Sequence, residues 1–259
     1  MEQLTITNLI LLAAFLLIVG LGLLVFLKMS THKRVNVFFS IFSWASAGWI
    51  LCVLMFYLFK DQTWKLFWAR MSFVSASVIP IAFLLFSIVF PREKRQISEL
   101  QIVSISILPS IIVALSFTPL MVHSVNWDKL SLNYGIAHKF FSIYLLAGMF
   151  GGIFFLIKSY NNSIALERIQ IKYCFLGIFL TFIPAFTLNL ILPTLGISRY
   201  NRLGPSSTLI LVSFFTYSIL KHRLMDINIV LKKGTTYALL MLLLFIPSIL
   251  IIILSQKLF

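Results

Sequence analysis

The sequence predicts an all-α, polytopic transmembrane helix bundle of about eight spans, and three observations carry that prediction. The 259-residue chain is 60% hydrophobic and only 11% charged, whereas soluble domains are about half apolar and a quarter charged. Its apolar residues come in runs of roughly 20, the length a helix needs to cross about 30 Å of hydrocarbon, and not in the alternating segments of about 10 that build a membrane β-barrel. The net charge of +14 would suggest nucleic acid in a soluble protein, but the Lys and Arg fall mostly in short segments between apolar runs, where they set topology. Membrane lipids are the expected surroundings, and no nucleic-acid partner is expected.

The first span covers about 6 to 27 and follows MEQLTITN, which has no basic residue and no cleavage site, so it reads as retained. The second covers about 37 to 59. The segment KDQTWKLFWAR then places Trp64 and Trp68 at a membrane surface, where indole rings favour the headgroup region. The third, about 68 to 90, stops at Pro91 and the charged PREKR, because proline interrupts a helix and those charges need water. The fourth, about 101 to 121, opens into HSVNWDKLSLNYGIAHK, read as the longest loop. The fifth, about 139 to 158, carries Gly148, Gly151 and Gly152, which let a neighbouring backbone approach closely. The sixth (about 173 to 194), seventh (about 204 to 220) and eighth (about 236 to 255) complete the set. With no internal repeat or soluble linker, residues 1–259 read as a single membrane domain: a seven-span bundle over about 1–221, a charged joint over 221–234 and the eighth span, without a soluble catalytic domain.

Segments after odd-numbered spans hold 13 of the 21 Lys and Arg, and the other side holds 8. The bias puts the N-terminus outside and the odd spans' exits in the cytoplasm. The expected location is the inner membrane of a bacterial cell, multi-pass.

Ionisable groups are scarce inside these spans. All seven acidic residues and all four histidines fall in loops or at span ends, whereas ion-coupled transporters and proton relays place such groups within the bundle. There is no paired-Asp, HExxH or Ser/His arrangement and no Gly-rich phosphate loop. Cys52 and Cys174 lie within apolar runs and form no metal-ligand spacing. No catalytic residue, metal or cofactor is therefore expected. Neutral polar residues remain. Ser40, Ser43 and Ala47 on the second span, and Ser72, Ser75 and Ser77 on the third, read first as close helix packing. The alternative is a ligand pocket between these helices, with Trp49 as an aromatic wall and Ser75 lining it, while Trp68 and Arg70 read either as plain interfacial anchors or as anchors for a ligand headgroup. Asn189 in the sixth span reads either as an interhelical hydrogen bond or as a ligand-orienting amide.

Two stretches, WARMSFVSASVIPIAFLLFSIVFPREK and RLGPSSTLILVSFFTYSILKHRLMDINIVLKKG, together resemble the N-terminal seven-transmembrane region of bacterial sensor histidine kinases, which is also found ahead of diguanylate cyclases. Carried onto this chain, the resemblance assigns Trp68, Arg70, Pro80, Phe90 and Pro91 to the structural core of the third span. It assigns Tyr217, Lys221, Arg223, Leu224, Met225, Asp226 and Ile227 to a signal-transmitting cytoplasmic joint. It implies a membrane sensory input for two-component signal transduction, a receptor for a small-molecule or peptide signal whose output goes to a cytoplasmic module. By resemblance alone, a homodimer is expected. No phosphoacceptor helix, nucleotide site or cyclase signature is present in these residues, so the kinase module is expected either on a separately encoded chain or lost from a longer one, and this chain is not itself an enzyme. The competing reading is a transporter or permease for an uncharged solute, supported by proline-interrupted spans and opposed by the missing intramembrane charges and repeats. A structural partner of another membrane protein is the third.

Overall fold

The computed structural model describes residues 2–27, 33–91, 97–126, 131–188 and 201–221. The chain divides into two units, Met1–Leu220 and Lys221–Phe259, and the described residues lie almost wholly in the first. They form α1 (Glu2–Leu27), α2 (Lys33–Leu58), α3 (Gln62–Val89), α4 (Glu99–Ser116), β1 (Val122–Asn126), β2 (Ser131–Tyr134), α5 (Ala137–Asn161), α6 (Ala165–Phe186), a 3-10 turn (Asn201–Ser207) and α7 (Thr208–Lys221). Among the described residues, six helical segments are long and apolar enough to cross a membrane: α1 to α5 and Leu203–Leu220. The chain is an all-α polytopic bundle. Asn189, the residues from Arg223 to Ile227 and the eighth span at 236–255 lie outside the described residues.

Local chemistry sets the helix boundaries. The third helix starts at Gln62, about six residues before its apolar run, because the Asp61 carboxylate accepts hydrogen bonds from the backbone N–H groups of Thr63 (2.8 Å) and Trp64 (3.2 Å). It ends at Val89, where Phe90 is extended ahead of Pro91, as the residue before a proline prefers. A reciprocal cap opens α4: the Gln101 N–H bonds the Ser98 hydroxyl at 3.2 Å, and the Ser98 N–H bonds the Gln101 side chain at 3.0 Å. At the start of α6 the Glu167 carboxylate reaches back to the Ile164 N–H at 3.3 Å.

The stretch expected as the longest loop contains an antiparallel hairpin, with Val122 paired to Tyr134 and Asn126 to Ser131. We call the end of the bundle where it sits the hairpin side, and the end where Pro91 lies the Pro91 side.

In lipid, helix association rests on packing and on satisfied polar groups, since the surroundings are as apolar as the side chains. The α1–α2 contact follows that rule. Asn36 donates to the Val25 carbonyl at 3.1 Å and Ser40 to the Gly22 carbonyl at 2.9 Å, so these polar residues of α2 face α1. The α3–α5 contact uses absent side chains: a Cβ on Gly148 would lie 2.6 Å from Pro80 Cβ, and one on Gly152 would run into the Phe83 ring. At the centre Phe39 and Phe42 of α2, Phe83 and Phe86 of α3, and Phe215 of α7 are all buried. By contrast α4 and α5 expose apolar stripes, including Val103, Ile107, Ile143, Phe150 and Phe154, the surface a helix presents to lipid.

Candidate functional site

Arg70 ties the chain that carries the hairpin to α3. Arg70 lies about two turns into α3, where its long stem reaches across to the chain that leaves α4. Its Nη1 donates to the Phe117 carbonyl at 3.2 Å, and its Nε and Nη2 donate to the Val122 carbonyl at 3.3 and 3.1 Å. A planar, permanently charged fork suits such a two-point grip. Charged donors make it stronger than a neutral hydrogen bond, at about 1.5–3 kcal/mol. Met121, Val122 and Val125 are buried beneath it, so the first strand lies on the bundle while Asn133 and Tyr134 of the second face outward.

Beside this clamp four rings gather. Tyr134 stacks on His138 with centroids 4.0 Å apart and planes 20° from parallel. Phe73 of α3 meets Tyr134, His138 and Phe141 edge-on at 6.2, 5.7 and 5.1 Å, the geometry that ring quadrupoles favour. A second aromatic group forms at the α2–α3 turn, where Phe59 stacks on Trp64 and Trp68 at 5.5 and 6.3 Å. The Trp68 indole N–H is buried and meets no acceptor among the described residues. It is an unused donor two residues from Arg70.

The residues selected from sequence divide between two levels of the bundle. Trp68 and Arg70 lie at the hairpin side. Ser75 lies roughly 7 Å further along the helix axis, facing α2: its hydroxyl is 3.9 Å from the Cys52 thiol and 3.0 Å from where a Cβ on Gly48 would stand. Trp49, next to Gly48, is half-buried against the core. Arg70 thus serves the hairpin, and Ser75 serves the α2–α3 contact. Asn189 lies outside the described residues. Of the joint, Tyr217 packs edge-on against Tyr173 of α6 at 4.9 Å, and Lys221 closes α7. Sequence reasoning did not select Phe73, Tyr134, His138 or Phe141; the aromatic residues on either side of Gly135 were the available signal.

The third helix joins the hairpin side to α7. Phe73 and Phe83 belong to the same helix, about 15 Å apart along its axis. Phe83 and Phe86 contact Phe215 at 6.0 and 5.2 Å, and Phe39 and Phe42 contact it at 6.5 and 6.1 Å. Phe215 therefore has ring neighbours on both α2 and α3.

The family model for the N-terminal 7TM region of histidine kinase matches residues 10–228. The chain belongs to this family. The match covers every described helix from α2 to α7 in full and most of α1. Comparison with curated proteins finds no match. As an N-terminal 7TM region of histidine kinase, the chain is a multi-pass membrane protein and a sensory input region, and the family ties it to a cytoplasmic kinase.

Proposed function

We propose that the chain detects a small-molecule or peptide signal on its hairpin side and relays it through α7 and the residues after it to a cytoplasmic histidine kinase module. The observation that carries this reading is that one helix, α3, bears both the Arg70 clamp on the hairpin and, at Phe83 and Phe86, the ring contacts with Phe215 of the exit helix. The unused indole donor of Trp68 beside Arg70, together with the partly exposed Tyr134–His138 stack, gives this end both a polar and an aromatic means of holding a ligand. The distribution of Lys and Arg supports an orientation with the hairpin outside and α7 ending at the cytoplasm. A signal that prefers one of two hairpin arrangements would bias α3, and with it α7, by its differential affinity. The joint from Tyr217 to Ile227, dimerisation and inner-membrane placement belong to the same proposal.

The test is a panel of small molecules and short peptides screened by thermal shift against the full chain in nanodiscs, followed by hydrogen exchange on each hit. Slowed exchange in 117–138, lost in Arg70→Gln, supports the reading. Protection confined to the Pro91 side overturns it, and solute flux into proteoliposomes would favour the permease instead.

A further inference from the structure

The exit helix has two buried faces of different chemistry. Toward α6 the contacts are directional and close. The Ser218 hydroxyl donates to the Gln170 carbonyl at 2.8 Å and lies in hydrogen-bond reach of the Cys174 thiol. Tyr217 meets Tyr173, and a Cβ on Gly177 would lie 2.7 Å from Phe214 Cβ. Three successive turns of α6 thus match two turns of α7, and displacing one helix along the other by a fraction of a turn would break the hydrogen bond and drive Phe214 out of the notch at Gly177. Toward α2 and α3 the contact is Phe215 against four other phenyl rings. Phenyl rings carry no donor or acceptor. Ring pairs are favourable in several offset and tilted arrangements, so such stacks tolerate small displacements. The 3-10 turn at Asn201–Ser207, which packs on α1, α2 and α6, holds the near end of α7.

We propose that α6 and α7 move as one unit, pivoting at Asn201–Ser207, and that the phenylalanine cluster is the plane on which this pair slips past α2 and α3. This is shear between packed helices, with displacements of about 1–2 Å, growing from the 3-10 turn toward Leu220. The inference rests on the sensory reading only in taking α7 as the exit. It makes α6 a moving part of the output and not a fixed wall.

The test uses the full chain in nanodiscs with bilayer thickness as the stimulus, since mismatch between helix length and hydrocarbon thickness loads the helices without any signal ligand. Spin labels go on Val37→Cys of α2 and Lys172→Cys of α6, both exposed positions, in a Cys52→Ala background. Ser218→Cys is then added so that oxidation with the native Cys174 locks α6 to α7. The expected result is a label-to-label shift of about 2 Å between phosphatidylcholines with 14-carbon and 22-carbon chains, unchanged in the locked protein. A shift abolished by the lock overturns the proposal, because α7 then moves against α6. No shift in either protein overturns the slip plane, and failure of S218C to oxidise with Cys174 overturns the close pairing. Because no signal is added, failure to find a ligand at the hairpin leaves this result untouched.

Discussion

Two aromatic groups meet the same helix at different levels, and they differ in chemistry. The group at the hairpin side, Phe73 with Tyr134, His138 and Phe141, mixes hydrocarbon with a phenol and an imidazole, and Tyr134 is half exposed. The central group consists of phenylalanines with no polar atom, and Phe39, Phe83 and Phe215 are wholly buried. One group presents groups that water-borne molecules can bind. The other excludes them and can respond only to the positions of its neighbours. The third helix belongs to both, through Phe73 in its first half and Phe83 and Phe86 near its end. The polar-edged group and the wholly apolar group are separated along one helix by about 15 Å, so each can be broken without direct contact with the other.

The largest effect is expected at the central group. Phe215→Ala removes the ring on which Phe39, Phe42, Phe83 and Phe86 converge, and the cavity should cost about 3–5 kcal/mol. Phe215→Leu, which keeps much of the volume, should cost about 1.5 kcal/mol or less. Both are read from unfolding in a mild detergent series. If the two losses are equal, ring packing is not what holds α7.

Next comes the hairpin clamp. Arg70→Gln should release the chain from Phe117 to Tyr134 at a cost of about 1.5–3 kcal/mol, seen as faster amide exchange there while exchange in α7 stays slow. Arg70→Lys should restore only part of the protection, because a point charge cannot bond the Phe117 and Val122 carbonyls as a fork does. Equal acceleration in α7 would erase the separation between the two groups.

These two sites also show what the sequence carried and what it did not. Apolar runs near 20 residues made the helices legible, and the resemblance carried by WARMSFVSASVIPIAFLLFSIVFPREK and the joint segment led to the family whose model matches residues 10–228. The hairpin was not legible, since VHSVN and SLNY are too short for alternation to stand out, and their stability comes from tertiary contacts. Arg70 was selected as a ligand anchor beside Trp68. Its structural partners are backbone carbonyls 47 and 52 residues away, and no residue type marks a carbonyl. The five phenylalanines were visible, and the spacings 39/42 and 83/86 put each pair on one helix face, but hydropathy does not say which faces meet. The start of α3 was readable in principle from Asp61, a good N-cap, and was hidden by the polar residues that follow it.

A smaller perturbation acts between the two groups. Gly152→Ala places a methyl group against the Phe83 ring, and overpacking of this kind costs about 1–3 kcal/mol. Gly20→Ala is the matched control, since nothing lies within 4 Å of a Cβ there, and it should be neutral or slightly stabilising because alanine suits a helix better than glycine. Thermal unfolding of the pair measures the difference. A neutral Gly152→Ala would mean that Phe83 has room to yield, and would loosen its assigned place in the route to α7.

The smallest expected effect tests how α3 tolerates its own interruption. Pro80 has no N–H, so within a helix the Ala76 carbonyl loses its usual donor and the carbonyls of the adjoining turn are disturbed. In lipid such a group must find another partner. Tyr144 of α5 supplies one in that turn: its hydroxyl donates to the Ser77 carbonyl at 2.6 Å, while Gly148, one turn further along α5, makes room for the proline ring itself. The two residues lie on one face of α5, four apart, and brace the helix where it is weakest, between Phe73 and Phe83. Tyr144→Phe keeps the ring and removes only the donor, so the expected loss is about 0.6 kcal/mol, the average for interhelical hydrogen bonds in membranes. Its more telling consequence is mechanical. A less braced Pro80 should let the two ends of α3 move more independently, so the double variant Tyr144→Phe/Arg70→Gln should leave exchange in α7 no faster than Tyr144→Phe alone. Additional acceleration in α7 in the double variant would mean that the hairpin reaches the exit helix by a path other than α3.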